Sequence, residues 1–287
     1  MDTLRMGKEY KDDVLDEWRR RDARKRREWR ELVERTRFDV KKTAQKCADY
    51  VRQFLSGEFG EPSYSEKRNF IFAAYQGDFH ACKLYALKFG EVEGALDCQI
   101  EVDGKTALAC ASEKGHQRIV QLLVNRGADP DVRDRYGCTA LHYACEAAEF
   151  ECVELLLEAQ ADVDARNRFN VRPLMKAAEA GDPDIVDLLL EFAATPSHRD
   201  KLEKWTALHY AAKSGDTDCI LSLLKAGCEY SKASSTGQTA QDIALDLRHK
   251  RAAIMLGKWR RRKLFPQGNK ISAQALDELE WGFGPDD

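Results

Sequence analysis

The sequence predicts a mainly α-helical solenoid, a stack of helix pairs with hairpin-like fingers between them, and three observations carry that prediction. First, five seven-residue segments align: Thr106-Ala-Leu-Ala-Cys-Ala-Ser, Thr139-Ala-Leu-His-Tyr-Ala-Cys, Arg172-Pro-Leu-Met-Lys-Ala-Ala, Thr206-Ala-Leu-His-Tyr-Ala-Ala and Thr239-Ala-Gln-Asp-Ile-Ala-Leu. Their first residues stand 33 or 34 positions apart. Second, a stretch rich in Leu, Ile and Val follows each of the first four openings by about 13 residues, as in Ile119 to Leu123, Val153 to Leu157, Ile185 to Leu190 and Ile220 to Leu224. The fifth has only Ala253-Ile254-Met255. Third, Gly115, Gly181 and Gly215 all stand nine residues after an opening, where a turn between two helices favours positive φ.

Each unit is thus a short helix, a turn, a second helix and an extended finger, and no single unit can bury its apolar faces without a neighbour. The period, with the Thr-x-Leu-His-x-Ala opening, resembles the ankyrin repeat. A weaker unit precedes the five: Asn69-Phe70-Ile71-Phe72-Ala73-Ala74 matches the first helix and Gly77 the turn. The step from Arg68 to Thr106 is 38 residues, so an insertion is expected around Glu91 to Asp97. The resemblance covers about residues 66–258. Ala148 stands where the other units have glycine, which predicts a somewhat different turn there. Gly104, Gly137 and Gly237 mark finger turns; Asn170 and Lys204 replace them in two units, and lysine accepts positive φ less readily than asparagine.

Composition agrees with a soluble, well-solvated protein: 43% of the 287 residues are apolar, 33% are charged, and the formal net charge is −3. That balance gives no global field toward nucleic acid or membrane. No apolar run approaches the ~18 residues of a membrane span, and residues 1–14 read as neither a secretory signal nor a transit peptide. The nine cysteines form no Cys-x-x-Cys pair and lie mostly in helical apolar patterns, which suits a reducing compartment, cytosol or nucleus.

His142 and His209, with Cys138, Cys145 and Cys152 nearby, invite a metal or catalytic assignment. They are instead expected to be the motif histidines, bonded to backbone between repeats, because no second ligand pair completes a zinc set. No P-loop, nucleophile elbow or paired-carboxylate site is found, so neither an enzyme nor a cofactor is expected.

The fingers read Arg133-Asp-Arg135-Tyr136, Arg166-Asn-Arg168-Phe169 and His198-Arg199-Asp-Lys201-Leu-Glu-Lys-Trp205. Stacked in register, their tips form a ridge of cations and aromatics, residue types enriched at binding hot spots. Tyr143, Lys176 and Tyr210 share one slot on the first helices. The resemblance implies that this slot faces the concave surface, beside the tips; packing of the rings between neighbouring helices is the alternative.

Both ends are unusual. Residues 1–62 read as a long charged helix: no Gly or Pro occurs from Lys8 to Leu55, and Gly57, Gly60 and Pro62 end it. Eight cations (Arg19, Arg20, Arg21, Arg24, Lys25, Arg26, Arg27 and Arg30) face only Asp22 and Glu28 between Trp18 and Arg30. The second half carries an apolar seam, Val33, Val40, Ala44, Cys47, Val51 and Phe54, expected to pack across the first repeat as a cap. Residues 259–287 form the other end, opened by the basic cluster Lys258, Arg260, Arg261, Arg262 and Lys263. That cluster suits a helix C-terminus, a nuclear-import signal or an acidic surface. The last stretch mixes acids with Trp281 and Phe283, a composition expected to order on binding.

The leading expectation is therefore a non-enzymatic adaptor that holds partner proteins on the ridge and concave face. The second is a fixed part of a large cytoskeletal assembly, with the basic helix on an acidic surface such as a microtubule. Nucleic-acid binding through the arginine clusters ranks third, since acids are interspersed and no nucleic-acid module is present.

Overall fold

The computed structural model describes residues 61–90, 92–99 and 103–264, with side chains as far as Arg260. All of them belong to the unit Gly60–Asp287. The charged helix expected over 1–62, its Arg19-to-Arg30 cluster, the apolar seam and its capping role, and the tail from 265 onward lie outside the described residues.

Twelve helices are present among the described residues. They form six pairs: α1 (Tyr64–Gln76) with α2 (Phe79–Phe89), α3 (Ala107–Glu113) with α4 (Gln117–Asn125), α5 (Ala140–Glu146) with α6 (Phe150–Glu158), α7 (Pro173–Ala180) with α8 (Pro183–Glu191), α9 (Ala207–Ser214) with α10 (Thr217–Lys225), and α11 (Ala240–Asp246) with α12 (Lys250–Leu264). Odd-numbered helices pack on odd-numbered neighbours and even on even, giving an inner and an outer row.

Local chemistry starts the helices. Ser63 and Glu66 form a capping box at α1, and Lys88 Nζ, 2.7 Å from Glu66 Oε1, ties α2 to the same turn. That ion pair, helped by Ser63, holds the Glu66 carboxyl down at about 2. Asp78, Asp182 and Asp216 cap α2, α8 and α10 through their side chains.

The inner row closes on small residues, Ala111, Ala144, Ala177, Ala178, Ala211 and Ala212, which are fully buried and let short helices approach closely. The outer row contributes Ile119, Leu123, Leu156, Ile185, Leu189 and Ile220, also fully buried. Each such side chain stabilises the stack by roughly 1.5–3 kcal/mol relative to exposure. Carboxylates stitch the loops between units: Asp97 Oδ1 accepts from Asp129 N at 2.9 Å, Asp131 Oδ1 from Asp162 N at 2.9 Å, and Asp164 Oδ1 from Thr195 N at 3.2 Å.

The fingers close as single turns: Asp134 N donates to Cys138 O at 3.0 Å, Asn167 N to Val171 O at 3.1 Å, and Asp200 N to Trp205 O at 2.9 Å. Ala233 and Thr239 form an isolated bridge, and no strand occurs among the described residues. At the turn slots the sequence expectation needs one correction. Ala148 takes φ 57°, the same left-handed turn that Gly181 makes at 79° and Gly215 at 81°. The packing of the flanking helices dictates the backbone, and alanine follows it. Lys204 likewise adopts φ 56° in its finger, as Asn170 does at 60°.

The expected insertion is real. Between α2 and the next opening, Val92 N donates to Phe89 O and Ala95 N to Val92 O in successive turns, and Ala95, Leu96 and Cys98 are buried beneath them.

Candidate partner-binding surfaces

Finger tips join to one another through the backbone. Arg135 N donates to Asp103 O at 3.2 Å, Arg168 N to Tyr136 O at 2.9 Å, Lys201 N to Phe169 O at 2.8 Å, and Ser235 N to Glu203 O at 2.7 Å. Side chains add to this ladder: Arg133 Nη1 donates to Arg166 O at 3.3 Å and Lys201 Nζ to Arg168 O at 3.2 Å. The tips therefore form one continuous ridge in fixed register. On it Tyr136 is 53% exposed, Phe169 42% and Leu202 65%, among the exposed cations Arg133, Arg135, Arg166, Arg168 and Lys201. Leu202 was not singled out from sequence; its place two residues before Lys204 in the long finger is the signal that marks it.

Arg199 and Trp205 lie lower on the ridge. Arg199 is half-buried and its carbonyl accepts from Asn170 Nδ2 at 2.5 Å. Trp205 packs edge-on against Tyr210, with ring centroids 5.3 Å apart.

The shared slot on the inner helices divides in two. Tyr143 is buried, and its hydroxyl donates to Asp134 Oδ2; Asp134 Oδ1 in turn accepts from Tyr136 N and Cys138 N, each at 2.8 Å. Tyr210 repeats this arrangement, donating to Asp200 Oδ2 at 2.7 Å, while Asp200 Oδ1 accepts from Glu203 N at 2.9 Å. Burial, then the neighbouring carboxylate, pushes both phenols well above the ordinary tyrosine range. Both tyrosines are thus latches that hold a finger against its helix. Lys105 Nζ lies 4.0 Å from the centre of the Tyr143 ring and closes over it. Lys176 faces along the helices, with Nζ 2.9 Å from Glu146 Oε1 and 3.5 Å from Glu179 Oε2. Burial opposes its charge, yet those carboxylates hold its pKa above the usual lysine value.

The histidines are committed to the fold. His142 Nδ1 accepts from Thr139 N at 3.2 Å, so Nε2 carries the proton and donates to Val171 O at 3.1 Å in the next finger. Burial pushes the ring down to about 4. His209 Nδ1 accepts from Thr206 N at 3.1 Å. Burial raises the thiol of Cys82 to about 12, of Cys110 to about 11 and of Cys152 to about 12, far from a reactive thiolate. No group of three or more metal-binding side chains occurs among the described residues.

The C-terminal basic cluster is part of the last helix. Lys258 and Arg260 are exposed on α12, whose backbone continues through 261–263 to Leu264. The Arg19-to-Arg30 cluster lies outside the described residues.

Two open grooves sit at matching places on the outer row. One, about 280 Å³, is lined by Phe150, Asp184, Asp187, Leu188 and Glu191. The other, about 420 Å³, is lined by Thr217, Leu221, Arg251, Ile254, Met255, Lys258 and Trp259.

Comparison with known proteins agrees with this architecture. A family model described as ankyrin repeats (3 copies) matches residues 70–167 and 173–260, more than half of the chain. The mitochondrial liver isoform of glutaminase from Mus musculus is 36% identical over 81 residues, which is 28% of this chain and 13% of that protein. The glutaminase of the same description from Rattus norvegicus matches to the same extent. The chain thus spans only a small part of the length of these relatives.

Proposed function

The chain belongs to the ankyrin-repeat family, and from that premise we propose that it is an adaptor, without catalysis of its own, that holds a partner protein on its finger ridge. Ankyrin repeats make a protein-interaction domain. The observation that carries the finer reading is the ridge: apolar side chains at successive tips, ringed by cations and locked in register by backbone hydrogen bonds. A rigid, preformed surface of that kind loses little entropy on binding. Its cations select an acidic partner surface, and its aromatics supply anchors that bury apolar area. The latches Tyr143–Asp134 and Tyr210–Asp200 keep the tips in place and so act as support. The 36% match to two glutaminases covers 81 residues, only 13% of those proteins. Buried free cysteines suit a reducing compartment, cytosol or nucleus.

The test compares the full chain with a variant carrying Tyr136→Ala, Phe169→Ala and Leu202→Ser, all exposed positions. Both are used to capture partners from the native cell, with quantitative mass spectrometry. The adaptor reading expects a small set of proteins to fall at least tenfold with the variant, while its melting curve stays unchanged. Equal capture by the two chains would remove the ridge from the proposal. Co-sedimentation of both chains with microtubules, at two salt concentrations, tests the filament version of an acidic partner.

A further inference from the structure

The two grooves of the outer row occupy equivalent places and differ in chemistry. Asp184, Asp187, Leu188 and Glu191 in the first correspond to Arg251, Ile254, Met255 and Lys258 in the second, each pair 67 residues apart. A position that carries Glu154 and Asp187 in earlier units becomes Leu221 and Ile254 in the last two. Ile254 is 49% exposed, whereas the other exposed side chains described on α12, Lys250, Arg251, Lys258 and Arg260, are charged. The second groove therefore has an apolar floor (Leu221, Ile254, Met255 and Trp259) and a cationic rim (Arg251 and Lys258).

We infer that this groove is the seat of the chain's own segment Leu276–Phe283, which docks back on α10 and α12 in the same molecule. Three arguments select that occupant. The segment reads Leu276-Asp277-Glu278-Leu279-Glu280-Trp281-Gly282-Phe283, four apolar side chains interleaved with three acids and no cation. It matches the floor and the rim together, and its acids are repelled by the matching groove of Asp184, Asp187 and Glu191. Reach is sufficient as well. Leu276 follows Leu264, the end of α12, by twelve residues, which extend to about 40 Å. Ile254 lies only ten residues back along the helix, about 15 Å. Finally, tethering gives the segment an effective concentration on the order of millimolar, so modest affinity suffices to fill the groove. The seat is independent of the finger ridge.

The experiment uses the full chain and a fluorescein-labelled peptide of residues 273–287, read by fluorescence anisotropy. A full-length variant with Leu279→Ser, Trp281→Ser and Phe283→Ser frees the groove without touching the helices. The labelled peptide is expected to bind this variant at least tenfold more tightly than the unaltered chain, where the tail already competes. Adding Arg251→Glu and Lys258→Glu, both exposed, should weaken that binding at least tenfold with no change in the circular dichroism spectrum. A peptide with Asp277→Lys, Glu278→Lys and Glu280→Lys should then restore it. Equal affinity for the unaltered and tail-substituted chains overturns the inference, as does binding that ignores the Arg251 and Lys258 reversals. Sedimentation velocity separates the remaining occupant: association of the unaltered chain with rising concentration, abolished by the same reversals, would assign the groove to the tail of a second copy and overturn docking within one molecule.

Discussion

The units that open at Thr139 and at Arg172 are neighbours with nearly the same backbone, yet they hold it by different chemistry. In the first, Thr139 and His142 form a cap, His142 bonds forward to Val171 O, and Tyr143 latches the finger through Asp134. In the second, Arg172, Met175, Lys176 and Asn167 fill the corresponding places. Arg172 is buried with Nη1 2.7 Å from Asp164 Oδ1, and Asp164 also accepts from Thr195 Oγ1 at 2.5 Å, so a cation backs the carboxylate that links to the next unit. Asn167 Oδ1 still caps its finger, accepting from Phe169 N and Val171 N at 2.9 Å each. The stack thus fixes which backbone groups must be satisfied and leaves open which side chains satisfy them.

The largest difference between the units is the buried cation. Arg172→Ala leaves the part-buried Asp164 without its guanidinium, and losing that charged hydrogen-bond partner costs about 2 kcal/mol. Thr139→Ala removes a neutral cap from the sister unit and costs about 1 kcal/mol. Urea denaturation of the two variants measures both. Equal losses would mean that the ion pair contributes no more than a cap.

The second difference is pH sensitivity. His142 is neutral in the fold, pushed down to about 4 by burial, whereas in the unfolded chain it titrates near 6.5. The unfolded state therefore takes up the proton first as pH falls. The stability contributed by the neutral ring is whole above pH ~6.5 and is lost progressively down to pH ~4. Between pH 7 and pH 5 the loss from this residue is about 2 kcal/mol. Met175, its counterpart in the next unit, does not titrate. His142→Met should accordingly remove about 2 kcal/mol from the pH dependence of the urea-derived stability. His209, also lowered by burial, keeps a remainder of the same sign. An unaltered pH profile in the variant would assign the sensitivity elsewhere.

These two units also mark how far the sequence could be read. Openings at Thr139 and Arg172 are visible at sight because period and apolar pattern are local properties of the chain. The ridge was legible for the same reason, since Tyr136 and Phe169 recur at one position of the period. The inward turn of Tyr143 was not, because it depends on a carboxylate nine residues earlier that the fold brings within hydrogen-bond reach. The outer grooves were hidden too. Each is made by two helices from successive units, and the exchange of Asp187 for Ile254 has meaning only once the helices are superposed in register. Ala148 was misjudged because a residue's own preference was set against a turn that its neighbours impose.

That last residue gives the smallest and sharpest test of the comparison. Ala148 at φ 57° and Gly181 at φ 79° make the same turn, one with a Cβ and one without. A Cβ added at Gly181 would meet nothing closer than Ser214 Cβ at 3.4 Å, an ordinary contact, so only backbone strain opposes it. Ala148→Gly is then expected to stabilise by about 0.5–1 kcal/mol, and Gly181→Ala to destabilise by about 1 kcal/mol, with opposite shifts of a few degrees in melting temperature. Glycine also enlarges the unfolded ensemble, which subtracts from the gain at 148 and from the loss at 181 alike. Opposite signs would mean that the left-handed turn costs alanine more than its reduced freedom in the unfolded chain returns. If Ala148→Gly destabilises instead, the helices around that turn relieve the strain themselves, and the two units differ in backbone tolerance as well as in side-chain chemistry.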